Sequence, residues 1–299
     1  MSKVKKISAL VFSGTGNTQW VVEQLEKKLK NKNHEFTTAY ADELQAGCGR
    51  EPGKEPDWAC VREKIDELVT PCDILLLAFP TYASDIPTPL KELLQYIPDG
   101  QGKKLVVIST IHMAGGDAVL LPSKILEKKN YETIITEYVK MPNNIKIPLF
   151  DFIEIKNGED LKPFYDSAGK TIDKIIEQLV NEKKHIEGKS ITDKALGFGQ
   201  RLGEETIRKM FINNMFATAN CIKCGLCAAT CPTGNISFDK GYPEFNGNCC
   251  MCLRCYNFCP VNAIQISDKT RQEKFTRYKG FDGWKPVRLR KIKQNVETE

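Results

Sequence analysis

Histidine is scarce in this chain. With three in 299 residues, no H-E-x-x-H pair or Ser-His-Asp set can be assembled, which sets hydrolytic chemistry aside. Long apolar runs are also missing. The longest, such as 74–79 and 105–108, fall far short of the roughly 20 residues a membrane-spanning helix needs, so no membrane span is expected. The start, Met1-Ser2-Lys3-Val4-Lys5-Lys6, leads directly into a strand pattern without a leader signature, and a cytoplasmic location is expected. No heptad run or low-complexity tract points to a partner surface.

Cysteine, in contrast, is plentiful. Eight of the 12 stand in two copies of one pattern, Cys221-x-x-Cys224-x-x-Cys227-x-x-x-Cys231-Pro232 and Cys249-x-x-Cys252-x-x-Cys255-x-x-x-Cys259-Pro260, the bacterial spacing for [4Fe-4S] ligation. Three thiolates at i, i+3 and i+6 can converge on one cube, whereas the fourth, held against proline, reaches the other. Cluster one is therefore expected on Cys221, Cys224, Cys227 and Cys259, and cluster two on Cys231, Cys249, Cys252 and Cys255. Zinc sites or a disulfide lattice explain neither the repeat nor the trailing prolines. Cys250 lies off the spacing and reads as a spare thiol, as do Cys48, Cys60 and Cys72.

The residues around these runs, Gly225-Leu226, Thr233-Gly234-Asn235-Ile236 and Val261-Asn262-Ala263-Ile264, resemble the pseudo-repeated halves of two-cluster ferredoxins over about 50 residues. Asn235, where such ferredoxins often carry alanine, departs from the pattern without touching a ligand.

A chain of this length exceeds one average domain. Up to about Lys140, short continuous apolar runs alternate with amphipathic stretches, which predicts an α/β fold with a doubly wound parallel sheet. Five strands fit Ile7 to Phe12, Glu35 to Tyr40, Asp73 to Phe79, Lys104 to Thr110 and Tyr131 to Val139, with four helices between them. Trp20, Val21, Val22, Leu25 and Leu29 line one side of the first helix, and Val61, Ile65, Leu68 and Val69 one side of the next.

Directly after the first strand comes Ser13-Gly14-Thr15-Gly16-Asn17-Thr18. Small hydroxyl and glycine residues opening a helix form an anion cradle, because backbone N–H groups and the helix dipole favour a phosphate there. The loop lacks the lysine of a Walker motif and the full G-x-G-x-x-G of dinucleotide folds. It resembles the FMN-phosphate loop of flavodoxins, whose strand order 2-1-3-4-5 places FMN at the switch point.

That resemblance implies FMN contacts from Ser13, Thr15, Gly16, Asn17 and Thr18. It implies a ring-contacting loop at Pro80, Thr81, Tyr82, Ala83 and Ser84, with Tyr82 as the stacking residue. A second ring loop falls at Thr110, His112, Gly115 and Gly116. Flavodoxins commonly place an aromatic there, and its absence leaves one ring face to His112 or Met113, or open to a substrate. His112 is accordingly the candidate catalytic group, since its charge changes near neutral pH.

Between the two redox units, Met141 to Pro148 breaks the sheet pattern. One helix is expected through Leu161, Phe164, Tyr165, Ala168, Ile172, Ile175, Ile176, Leu179 and Val180. After a polar stretch from Asn181 to Lys194, a second is expected through Leu202, Ile207, Met210, Phe211 and Met215. The expected domains are 1–145 (flavodoxin-like), 146–215 (helical connector), 216–268 (two-cluster) and 269–299 (basic tail). From Lys269 onward there are ten Lys/Arg against four Asp/Glu, which reads as a solvated, partly disordered tail whose Lys285, Arg288, Arg290, Lys291 and Lys293 steer an acidic redox partner or fold back on the anionic cofactors. With two clusters and a phosphate added, the protein sits near neutral, and no nucleic-acid partner is expected.

As a whole the chain resembles the flavodoxin/ferredoxin fusion proteins of anaerobes. The resemblance implies two [4Fe-4S] clusters and FMN in one relay, exchanging electrons with a low-potential donor or acceptor protein. A small-molecule substrate over the flavin would make it an oxidoreductase; without one it is an electron carrier that docks to a separate enzyme.

Overall fold

A computed structural model describes residues 4–289 of the chain. Strands β1 (Lys6–Val11), β2 (Glu35–Tyr40), β3 (Ile74–Pro80), β4 (Lys104–Ile111) and β5 (Glu132–Lys140) form a parallel sheet in the flavodoxin-like order β2-β1-β3-β4-β5. A sixth strand, β6 (His185–Ile186), adds in parallel beside β5. Five strands were expected. The extra one lies within the polar stretch 181–194 and is two residues long, too short for any alternation to register.

Apart from the edge strand β2, each long strand is buried on both faces. Ile7, Ala9 and Val11 of β1 and Leu76 and Ala78 of β3 pack on α1 (Asn17–Lys30), through Val21, Val22, Leu25 and Leu29, and on α6 (Lys162–Val180), through Ala168, Ile172, Ile175 and Leu179. The alternate residues, Leu10, Phe12, Leu75, Leu77 and Phe79, meet α3 (Trp58–Val69) and α5 (Leu120–Glu127). This is why the strands read as continuous apolar runs. Short helices α2 (Ala41–Gly47) and α4 (Thr88–Lys91) complete that second face.

Cys48 and Cys60, expected as spare thiols, are joined in a disulfide between the end of α2 and the first turn of α3. Their pairing is through space, so spacing carried no sign of it. Cys72 remains a buried thiol, and burial pushes it further above its ordinary value.

Helix α7 (Ile191–Asn214), opened by a Ser190–Asp193 capping box, crosses from the sheet to the cysteine-rich region. It starts inside the expected polar stretch. Leu202, expected on its packing side, is 68% exposed, while Phe211 is fully buried. The cysteine-rich region has two antiparallel ribbons, β7 (Phe216–Ala217) with β10 (Ile264–Gln265) and β8 (Ile236–Ser237) with β9 (Glu244–Phe245). Two one-turn helices, α8 (Leu226–Ala229) and α9 (Arg254–Asn257), stand between them.

The segment after Lys269 was expected as a solvated tail. It instead lies against both units as far as it is described: Phe275 and Tyr278 are buried, and Trp284 packs on Phe258 with ring centroids 4.8 Å apart. Aromatic anchors at 275, 278, 281 and 284 outweigh the charge that governed the composition. Lys285 and Arg288 are exposed, whereas Arg290, Lys291 and Lys293 fall outside the described residues.

Candidate functional site

The cradle forms where β1 hands over to α1. Gly16 takes φ +102° to make the turn, a conformation L side chains rarely adopt, and a Cβ there would also lie 2.9 Å from the Trp284 indole. The first turn of α1 has no acidic residue, and its lysines (Lys27, Lys28, Lys30) sit in the last turn. The helix dipole is thus left uncompensated at the cradle.

Most side chains of the loop are committed to building it. The Gln19 N–H donates to Ser13 Oγ at 3.2 Å, the Thr18 and Thr110 hydroxyls pair at 2.8 Å, and Asn144 Nδ2 donates to Thr15 Oγ1 at 2.7 Å. Asn17 Nδ2 donates to the Pro142 carbonyl at 2.9 Å, and its Oδ1 accepts from the Tyr278 hydroxyl at 2.5 Å. Among the described residues, by contrast, no acceptor takes the backbone N–H of Gly14, Thr15, Gly16, Asn17 or Thr18. Backbone donors left without an acceptor at a helix N-terminus suit a phosphate monoester.

Ser13, Thr15, Asn17 and Thr18 open onto a cavity of about 350 Å³, together with Pro80, Thr81, Tyr82, Ala83, Thr110 and His112. That volume lies in the range of small-ligand sites. Gly16, Ser84, Gly115 and Gly116 stand outside its lining. Trp284 covers Gly16; the Gly115 and Gly116 carbonyls turn away to accept from the Tyr138 hydroxyl at 3.0 and 2.9 Å; and Ser84 Oγ donates to Gln200 Oε1 of α7. These residues brace the loops rather than line the space.

Behind the second loop, Arg201 of α7 reaches the Ser84 carbonyl at 2.8 Å and Asp117 Oδ1 at 2.7 Å. Gly197 lets the helix approach, since a Cβ there would fall 2.1 Å from Asp117 Oδ1. His112 is half-buried with Nδ1 3.2 Å from the Met141 carbonyl. An oxygen that can only accept makes Nδ1 the protonated nitrogen, so the neutral ring presents Nε2 as an acceptor.

The turn after β3 is strained. Ala83 and Ser84 both sit in the left-handed region at φ 48° and 58°, and the Tyr82 carbonyl accepts from the Asp85 N–H at 2.9 Å. The turn carries Tyr82 along the cavity wall with its hydroxyl buried and without a hydrogen-bond partner among the described residues. A Cβ on Gly14 would lie 2.4 Å from that oxygen and 3.0 Å from the Cys252 carbonyl. Tyr82 therefore sits where cradle and cysteine loop meet, and burial, reinforced by Cys252 and Cys250, keeps the phenol neutral.

The eight cysteines fall into two groups. Cys221, Cys224, Cys227 and Cys259 line one void and Cys231, Cys249, Cys252 and Cys255 a second, which Cys250 also lines; Cys255 touches both. The duplication extends to the backbone. Lys223 and Met251, Gly225 and Leu253, and Gly234 and Asn262 occupy matching places in the two runs, and all six have positive φ. In each run an amide four residues on donates to the last sulfur: Asn235 N–H to Cys231 Sγ at 3.2 Å, and Ala263 N–H to Cys259 Sγ at 3.1 Å. Such donors stabilise thiolate ligands.

Several lining residues carried no motif. Met141 to Ile145 follow β5, Gln200, Ile207 and Phe211 come from α7, and Met251 and Leu253 come from the second cysteine run. Only the apolar spacing of α7 hinted at a packing role. Arg254, between Cys252 and Cys255, was also missed: it is 5% exposed and bonded to the Ser13 and Gly14 carbonyls and to Asp42.

Residues 6–125 match the family model for NADPH-dependent FMN reductase. An archaeal-type glutamate synthase [NADPH] from Dehalococcoides mccartyi is 30% identical over 81 residues, 26% of this chain and 15% of that protein. Pyruvate synthase subunit PorD from Methanocaldococcus jannaschii is 44% identical over 61 residues, 18% of this chain and 62% of that protein. The chain thus spans less than two thirds of either relative. Among solved structures, Megasphaera elsdenii flavodoxin aligns at 17% identity over 55% of this chain and 98% of its own, with a TM-score of 0.35.

Proposed function

We propose that this chain is an electron-transfer protein carrying FMN and two [4Fe-4S] clusters, passing electrons between the clusters and the flavin within one molecule. The observation that carries the reading is a shared wall: Met251 and Leu253 of the second cysteine run line the same cavity as Ser13, Thr15 and Thr18 of the cradle. A phosphate-anchored ring and a cluster held there are separated by the width of a loop.

The match to an FMN reductase model over 6–125 supports the flavin. So do the donor set at Gly14–Thr18 and the cavity volume. Ser13–Thr18 would hold the phosphate, while Pro80–Ala83 and Thr110–His112 would hold the ring. The two voids support one cluster beside Cys221, Cys224, Cys227 and Cys259 and one beside Cys231, Cys249 and Cys252; Cys255 lines both, and the repeated spacing gives it to the second. Bound FMN supplies the ability to take single electrons and give up a pair. The chain's own part is to orient the ring with Tyr82, to shut water out with Ile207 and Phe211, and to present Nε2 of His112 as a proton acceptor.

The test is anaerobic isolation with iron and flavin analysis, followed by rapid mixing with a reduced low-potential ferredoxin. Cluster reduction followed by bleaching of the flavin is expected. A flavin that stays oxidised while the clusters reduce would refute the relay.

A further inference from the structure

Arg254 belongs to the second cysteine run by sequence and to the phosphate cradle by contact. Its Nε donates to the Gly14 carbonyl at 3.0 Å and Nη2 to the Ser13 carbonyl at 2.7 Å. Its Nη1 donates to the Thr230 carbonyl at 3.0 Å and lies 2.8 Å from Asp42 Oδ2, whose side chain is 4% exposed. A buried guanidinium is costly unless its fork is filled, and here backbone carbonyls and one carboxylate fill it.

Two of those carbonyls belong to the peptides that open the cradle. A trans peptide is planar, with C=O and N–H pointing opposite ways, and the chain has no cis peptide among its described residues. Drawing the Ser13 and Gly14 oxygens toward Arg254 therefore turns the Gly14 and Thr15 N–H groups away from it. Both are among the donors with no acceptor among the described residues, and Ser13, Gly14 and Thr15 all line the cavity.

We infer that Arg254 is a positioning residue for the nucleotide phosphate: from between two cluster cysteines it sets the peptide planes of the cradle, so that FMN is gripped by its phosphate only while the cysteine loop is in place. The inference rests on the FMN reading above. It adds that affinity for the phosphate, as distinct from the ring, is governed by a residue of the iron-sulfur unit. Arg254 touches neither ring nor phosphate and acts through the loop it orients.

The test compares FMN with riboflavin, which has the same ring and no phosphate, by fluorescence titration of cluster-loaded protein dialysed free of flavin. The variants are Arg254→Lys, which keeps the charge opposite Asp42 but not the fork, and Arg254→Met combined with Asp42→Asn, which removes both buried charges together. The double variant should bind FMN about tenfold or more weakly, with the lysine variant between it and the parent, since the Gly14 and Thr15 N–H groups lose the orientation that aims them at the phosphate. Riboflavin affinity should change less than twofold. If the double variant does not assemble its clusters, the lysine variant decides alone.

Equal weakening of FMN and riboflavin would overturn the inference and leave Arg254 a merely structural residue, as would unchanged FMN affinity. Failure of the FMN reading itself looks different. The parent protein would then bind FMN no better than riboflavin, or bind neither.

Discussion

At the scale of single residues, the proposed cluster ligands are set apart from other cysteines by position alone, and Cys250 is the informative case. It is buried and lines the second void, yet it falls outside the repeated spacing and has no counterpart but Ile222 in the first run. Cys250→Ala should therefore retain its full iron complement, whereas Cys231→Ala should lose one cube, lowering iron from about eight to about four per chain. Iron analysis and EPR of the two variants check this, and iron loss from Cys250→Ala would reassign the ligand set. Arg254 shows what spacing could not convey. An arginine in a cysteine loop reads as a solvated charge until its carbonyl partners, some 240 positions earlier in the chain, are seen.

Among the elements, β5 and β6 enclose a titrating group at the edge of the sheet. Glu137 of β5 is 3% exposed, with Lys174 Nζ of α6 at 2.9 Å and His185 Nε2 of β6 at 3.1 Å. Burial, with Glu187 adding repulsion and Lys174 opposing it, lifts its carboxyl from 4.5 to about 7. A raised folded value means the folded state keeps the proton across that window after the unfolded chain has lost it. The contribution to stability is then complete below 4.5 and is lost as pH rises through 7. Thermal unfolding from pH 5 to 8 should show the parent protein losing more stability than Glu137→Gln, and parallel pH profiles would acquit this residue.

The long elements were legible in the sequence because each buries a stretch with a clear period. The four-residue helices in the cysteine loops and the two-residue β6 were not, since neither spans two repeats of its own pattern. Helix α7 was visible as a helix, but that its Ile207 and Phe211 close the cavity depends on where it crosses the sheet, which its own periodicity does not state.

For the molecule as a whole, the segment after Lys269 joins what composition had separated. The Tyr278 hydroxyl bonds Asn17, Trp284 Nε1 donates to Gln19 Oε1 at 2.9 Å, and the Leu289 N–H donates to the Ala229 carbonyl at 2.8 Å. One strap thus touches both the cradle and the first cysteine run. Deleting 275–299 should weaken FMN binding about tenfold, because Asn17 loses a buried partner and Gly16 its indole cover. Titration of the truncated, cluster-loaded protein measures this, and unchanged affinity would reduce the strap to packing alone.

The sequence by itself determined the parallel sheet, the glycine- and hydroxyl-rich loop after its first strand and the duplicated cysteine run, because periodicity and fixed spacing are local properties that survive in one dimension. Tertiary structure alone decided that the cysteine loop backs the phosphate loop through Arg254, that Cys48 meets Cys60, and that the basic segment lies down instead of extending into water. Those outcomes turn on which distant groups can satisfy a buried charge, a thiol or an aromatic face, and that is settled only when the chain is compact.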